Sequence, residues 1–219
     1  MRSFTDSIAF IDEEAERLKT ALLYRNSGIA QLVNVVTGGV LASINASLGT
    51  PVIWAVSWWL VIFAVAGGRF VLARKFQRNA PSAFQAPAWR RHYITGTALT
   101  AAAWGIGAFV FMWNSPDAAK LFTGMVLSGM VAGALPLLAP VPQAFRIFAL
   151  GVTLPMTSAL FLQANSGLHW AFGGLALVFV VAMLGGARYL HETLDEATRL
   201  GLANTRIEQH LQQAKGIAK

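Results

Sequence analysis

Residues 168–190 read LHWAFGGLALVFVVAMLGGARYL, with Arg188 as the one Asp, Glu, Lys or Arg in the run. A helix needs about 20 predominantly apolar residues to cross some 30 Å of hydrocarbon, and this stretch supplies them. The chain then runs on as HETLDEATRLGLANTRIEQHLQQAKGIAK with no proline after Pro155, so span and polar tail are predicted to form one continuous rod. Working back towards the amino terminus, five more stretches have the same character: Gly28–Leu48, Val52–Leu72, Ile94–Trp113, Leu121–Pro140 and Ile147–Gln163. In hydrocarbon every backbone N–H and C=O must pair within its own segment, so helix is expected even where Val178, Val180 and Val181 cluster. The predicted fold is therefore all-α. It is a polytopic membrane protein with a six-helix transmembrane domain over 28–190, an amphipathic helix at 1–27 and a coiled-coil-like helix at 191–219.

Composition agrees. Of 219 residues, 55% are apolar and 12% charged, about half the charge usual in a soluble domain, which excludes a water-soluble enzyme as the default. The absence of cysteine removes disulfides, thiolate zinc sites, iron–sulfur clusters and cysteine nucleophiles. The net charge of +7 is explained by its placement. Residues 73–93 carry Arg74, Lys75, Arg78, Arg90 and Arg91 without an acid, whereas 49–51 and 164–167 carry no charge and 114–120 only Asp117 and Lys120. By the positive-inside rule the 73–93 segment is cytoplasmic, both termini join it, and the location expected is a bacterial inner membrane. Basic charge thus marks orientation, and no nucleic-acid partner is expected. Trp54, Trp113 and Trp170 fall at the opposite, outer ends of their spans, where an indole sits best. No basic n-region or Ala-x-Ala site precedes the first span, so a cleavable signal peptide is not expected.

The two ends have different patterns. Phe4, Ile8, Ile11, Ala15, Leu18 and Leu22 make one apolar helical stripe. The acids Asp12, Glu13, Glu14 and Glu16 lie mostly off it, unlike the basic polar face of a lipid-lying helix, so this helix is expected to contact protein. At the other end Leu190, Thr193, Ala197, Leu200, Asn204, Ile207, Leu211, Ala214 and Ala218 alternate spacings of three and four, a heptad seam. Leu200, Asn204, Ile207 and Leu211 form its core, and a core asparagine sets register and oligomeric state, which points to a homodimer. The seam is still running at Lys219, so an output domain is expected beyond it; the plain alternative is a solvated continuation of the last span.

Inside the spans the chemistry is sparse. The absence of Asp and Glu there argues against an ion-coupled carrier, though not against a passive channel or transporter. An inverted repeat, as in many transporters, is not evident. Arg69 and Arg146 are expected to snorkel towards headgroups. Gln31 and Asn34, on one face of the first span, either bond between helices or line a ligand cavity. Trp58, Trp59 and Trp104, with Phe63, Phe109 and Phe111, either pack or wall a pocket for a small apolar ligand. Gly124, Ser128 and Ala132, with Gly129 and Gly133, have the spacing that brings helix backbones close. Pro136, Pro140 and Pro155 make the fourth and fifth spans the candidate hinge. The four histidines lack ligand spacing, and no phosphate-binding lysine loop or Gly-x-Ser-x-Gly occurs, so no metal, cofactor or catalytic residue is expected.

Four stretches carry a resemblance: Leu23-Tyr24-Arg25-Asn26 before the first span, Trp89-Arg90-Arg91 before the third, Gly129-Met130-Val131-Ala132-Gly133-Ala134-Leu135-Pro136-Leu137-Leu138-Ala139-Pro140 in the fourth, and the exit Arg188-Tyr189-Leu190-His191-Glu192-Thr193-Leu194. In order and character the chain resembles the amino-terminal membrane regions of bacterial sensors, multi-span histidine kinases (often hybrid) and diguanylate cyclases. The resemblance implies an input domain in the bilayer that relays a signal through a dimeric helix to a cytoplasmic kinase or cyclase domain in cis. Neither a phosphoacceptor-histidine motif nor a GGDEF-like motif lies in these residues. With outer loops of only about 3, 7 and 4 residues (too short for a ligand-binding domain), the signal is expected to be membrane-borne or a small apolar molecule. A membrane anchor and dimerisation scaffold is the remaining reading.

Overall fold

A computed structural model describes the backbone of residues 2–25, 27–79, 81–113 and 115–217, and their side chains apart from 2–12, 83, 203 and 206–217. Among the described residues there is no strand. Helices α1 (Arg2–Arg25), α2 (Ser27–Ser47), α3 (Val52–Asn79), α4 (Ala86–Met112), α5 (Asp117–Leu138), α6 (Pro142–Leu162) and α7 (Gly167–Ile217) follow one another with short links. Six of the helical segments are long and apolar enough to cross a membrane.

The distribution of side chains on α2 shows which solvent this surface is built for. Gln31, Asn34 and Asn45 are buried, while Ile29, Leu32, Val36 and Val40 are at least half exposed. A water-soluble helix does the reverse. The same inversion appears on α7, where Leu175, Val178 and Val181 stand outward. Together with the six apolar helices this describes a multi-pass membrane protein.

Helices α2–α7 alternate in direction, which collects the links at two ends. Trp54, Trp113 and Trp170, all exposed, mark one; the basic residues of 73–93 and helix α1 mark the other. The α2–α3 link is short because Gly49, with φ of 112°, adopts the left-handed conformation that closes a helix. The Thr50 N–H then reaches back to the Asn45 carbonyl at 3.0 Å. At the basic end the expected 73–93 loop is mostly helix: α3 runs to Asn79, a 3-10 turn occupies Ala83–Gln85, and α4 starts at Ala86, with Pro87 in its first turn where a missing N–H costs nothing.

The core lies between α4 and α6. Gly105 and Gly151 let their backbones meet: a β-carbon on Gly105 would stand 2.3 Å from the Gly151 carbonyl oxygen. Pro155 explains why that oxygen is available, since a proline offers no N–H to the carbonyl four residues before it. This is where small residues bring helices together. Gly129 and Gly133 of α5 have open space at the β-carbon position instead, whereas Gly124 is packed under Phe172. The pattern of glycines in α5 predicted close approach, but only its first member makes one.

Helix α1 folds against the basic end. Its buried face is Ala15, Lys19, Thr20, Leu23 and Tyr24, rotated from the predicted stripe, whose Leu18 and Leu22 are half-buried. The rotation follows from Tyr24, which stacks on Phe76 at 4.1 Å and donates a hydrogen bond to the Trp89 carbonyl at 2.9 Å. Glu16 pairs with Arg90 and, at 3.1 Å, with Lys19, which also pairs with Asp195 of α7. The predicted stripe residues Phe4, Ile8 and Ile11 lie outside the described side chains.

Candidate functional site

A cavity of about 480 Å³ opens between α2 and α5 in the basic half of the bundle. These helices are tied at the tryptophan end, where the Asn45 amide meets the Thr123 hydroxyl at 3.2 Å; towards the basic end they part. Ile29 and Val33 on one rim, Gly129 and Gly133 on the other, are exposed to the outside of the bundle. Met130, Leu137, Leu138 and Phe148 supply apolar wall.

Polar groups converge on the back of the cavity. Tyr93, Thr97 and Thr100 recur at four and three residues along α4 and so share one face. The two hydroxyls donate to the carbonyls of Tyr93 and Gly96, which leaves their lone pairs to accept from Arg69, at 3.3 Å for Thr97 and 2.9 Å for Thr100. The guanidinium carbon lies 5.0 Å from the centre of the Tyr93 ring, a cation–π contact. Gly96 makes room for the arginine stem, whose Cγ lies 3.2 Å from where a β-carbon would stand. Arg69 therefore turns into the bundle, and does not snorkel outward as its position near the span end predicted. Arg146 is exposed.

Arg69 has no carboxylate beside it. Asp117, at the tryptophan end, is the sole Asp or Glu between residues 28 and 191. Gln31, which lines the same cavity, is 4% exposed, and its amide oxygen and nitrogen both lack a hydrogen-bond partner. Leaving a buried polar group unpaired costs about 1–3 kcal/mol, so an unpartnered amide in the lining of the cavity that holds a guanidinium without an ion-pair partner marks a place suited to another molecule.

The predicted site residues divide in two. Gln31 and Asn34 line the cavity. The tryptophans do not: Trp58 is buried, sits edge-on to Trp104 at 5.3 Å and to Phe111 at 4.9 Å, and donates to the Ala103 carbonyl at 2.7 Å. Trp59 donates to the Val35 carbonyl at 3.0 Å and covers Gly39. Trp104 is tied to the cavity indirectly, giving its indole N–H to Asn34 Oδ1 at 2.9 Å, while the Asn34 amide donates to the Ala30 carbonyl. Arg69, Tyr93, Thr97 and Thr100 join the site beyond the residues expected from sequence; a Tyr-x₃-Thr-x₂-Thr face in an otherwise apolar helix is their signal in the sequence.

Below the cavity a smaller space of about 170 Å³ shares Ala30, Tyr93 and Leu137 as walls. It is closed by Pro136, Pro140 and, from α7, Leu194. Pro136 lies inside α5, Pro140 in the α5–α6 link and Pro155 inside α6. The imidazole Nδ1 of His191 lies 3.1 Å from the Ala139 carbonyl, joining that link to α7. Pro136 and Pro140 of the predicted hinge thus lie next to the base of α7, whereas Pro155 packs against Gly105 in the α4–α6 contact.

On α7, His191, Leu194, Asp195, Thr198 and Leu202 are half-buried, whereas Thr193, Ala197, Leu200 and Asn204 are exposed. The side chains of Ile207 and Leu211 lie outside the described residues. A second polar cluster sits at the tryptophan end: His169 Nε2 lies 3.0 Å from Asp117 Oδ1 and 3.4 Å from Lys120 Nζ, and its Nδ1 lies 3.3 Å from the Ser166 hydroxyl. Among the described residues no group of three His, Asp or Glu converges as a metal cage. No family model, no curated protein and no solved structure matches the chain.

Proposed function

We propose that the chain is the membrane-embedded input domain of a bacterial signal-transduction protein. It sits in the inner membrane with its basic end and both termini in the cytoplasm. A small signal from the bilayer occupies the α2–α5 cavity, and α7, paired with α7 of a second copy, carries the response to a histidine kinase or diguanylate cyclase domain in cis. The observation that carries this reading is the unbroken α7, 51 residues long, or about 77 Å at 1.5 Å per residue. One face of its lower half touches α1 and the hinge region; the predicted heptad face beside it is exposed. A ligand that wedges α2 from α5 bears on Leu137, which both spaces share, and so on the proline-bounded wall against Leu194. It shifts α7 only to the extent that it binds the two packings differently.

A through-channel is disfavoured by what lies above the cavity: Trp104, Phe111, Leu41 and Leu127 are essentially fully buried and fill the tryptophan-end half. The chain has no cysteine, so single introduced cysteines report contacts cleanly. In native membranes, cysteine at Leu200 or Asn204 is expected to form disulfide-linked dimers on mild oxidation, and cysteine at Thr198, on the α1-facing side, is not. Cross-linking at Thr198 without cross-linking at Leu200 overturns the dimeric relay. Reporter fusions after Lys219 and within the 114–120 link are expected to be cytoplasmic and external, respectively.

A further inference from the structure

We infer that the α2–α5 cavity binds a single-chain amphiphile with a carboxylate headgroup, drawn from the bilayer, with the carboxylate on Arg69 and Gln31 and the chain running out between Val33 and Gly133. This deepens the reading above, since the cavity is where that reading puts the signal.

The argument starts from charge. A guanidinium within the apolar bundle is costly unless paired, and among the described residues Arg69 meets Thr97, Thr100 and Tyr93 and forms no ion pair. Thr97, Thr100 and Tyr93 hold its orientation but bring no negative charge. The missing partner must therefore be an anion. One cation with no lysine beside it calls for a single negative charge. A carboxylate supplies that and matches the planar fork of the guanidinium with two parallel hydrogen bonds. A phosphate monoester carries about −1.5 to −2 near neutral pH and would leave net charge buried in hydrocarbon.

Gln31 completes the recognition. Its amide N–H₂ is unpaired and covered, and a turn of the side chain into the cavity lets it donate to a carboxylate oxygen. The remaining lining is apolar, and about 480 Å³ is in the range of a site for one small ligand. The way in is lateral: Ile29 and Val33 on α2 face outward, and opposite them Gly129 and Gly133 leave the α5 rim without side chains. The α5 glycines that meet no other helix thus acquire a role, as the smooth wall of a portal for an acyl chain.

The test measures binding of radiolabelled dodecanoate to the full chain in phosphatidylcholine nanodiscs at pH 8, against empty nanodiscs. Dodecanoate is expected to bind at least about tenfold more tightly than methyl dodecanoate or dodecyl phosphate. Arg69→Gln is expected to weaken it by about tenfold or more, with Arg69→Lys between the two, and Gln31→Leu by several-fold. An ester or phosphate that binds as tightly as the acid overturns the inference. So does unchanged binding by Arg69→Gln whose helical melting matches the parent. If Arg69→Gln does not fold, Gly133→Leu decides: it blocks the portal without touching the arginine, loss of binding is expected, and full binding overturns the inference. The relay is read separately. Dodecanoate binding without cross-linking at Leu200 sinks the relay alone, and cross-linking without binding sinks the ligand class alone.

Discussion

The α4–α6 contact and the α2–α5 gap are built from the same residue type to opposite ends. At Gly105 and Gly151 the missing β-carbons allow backbone to touch backbone, and around that contact Trp104, Phe145 and Leu160 are fully buried. At Gly129 and Gly133 the missing β-carbons border empty space, and the polar residues nearby are left partly unpaired. One region is packed to the density of an interior; the other keeps a void with a charge at its back. Glycine in a transmembrane helix is therefore not evidence of helix contact until the facing helix is known.

The sharpest way to break this contrast is one substitution made in both places. Gly105→Ala places a methyl group 2.3 Å from a backbone oxygen and is expected to cost about 2–3 kcal/mol through overpacking, read as a fall in the melting temperature of helical circular dichroism in detergent. Gly133→Ala meets nothing and is expected to be neutral or to stabilise by up to about 1 kcal/mol through helix propensity. Equal costs at the two sites would erase the distinction.

The seam between the regions is Asn34, whose oxygen accepts from Trp104 and which also lines the gap. Trp104→Phe removes the donor, leaves that oxygen unpaired and is expected to cost about 1–3 kcal/mol. It should also loosen the cavity's back wall, seen as weaker ligand binding for an equal or smaller stability loss. A stability loss with unchanged binding would place Asn34 with the packed region alone.

A smaller effect is expected at the base. Asp195→Asn weakens the pairing with Lys19, in which the aspartate side chain is 27% exposed, and partly exposed pairs contribute about 0.2–1 kcal/mol. The informative readout is local: amide exchange in α1 should rise, while exchange in α4 and α6 stays slow. Uniform exchange throughout would mean that α1 is not a separable clamp on α7.

Much of the fold was legible from the sequence because hydrocarbon imposes a strong length and composition rule. Six apolar runs correspond to six helices, though α3 runs on to Asn79 past the expected Leu72 and α4 starts at Ala86 ahead of the expected Ile94, and the proline-free stretch after Pro155 holds the long α7. What misled was direction. The position of Arg69 near a span end predicts a headgroup anchor, yet Gly96 and the Thr97–Thr100 face, 27 and more residues away in sequence, draw it inward. The apolar stripe of α1 was seen, but its rotation depended on Tyr24 finding Phe76 and Trp89. Trp58 and Trp104 carry the chemistry of pocket walls and became core because Ala103 and Asn34 satisfy their indole N–H groups.

Local pattern alone determined that the chain is helical, how many of its helices can cross a bilayer, and that charge gathers at one end, since each follows from the solvent a segment must match. Only the packing of helices decided which glycines touch and which stand open, and that Arg69 turns inward to a cavity whose described lining holds no acid. Those facts depend on pairs of residues far apart in sequence, whose meeting no single segment encodes.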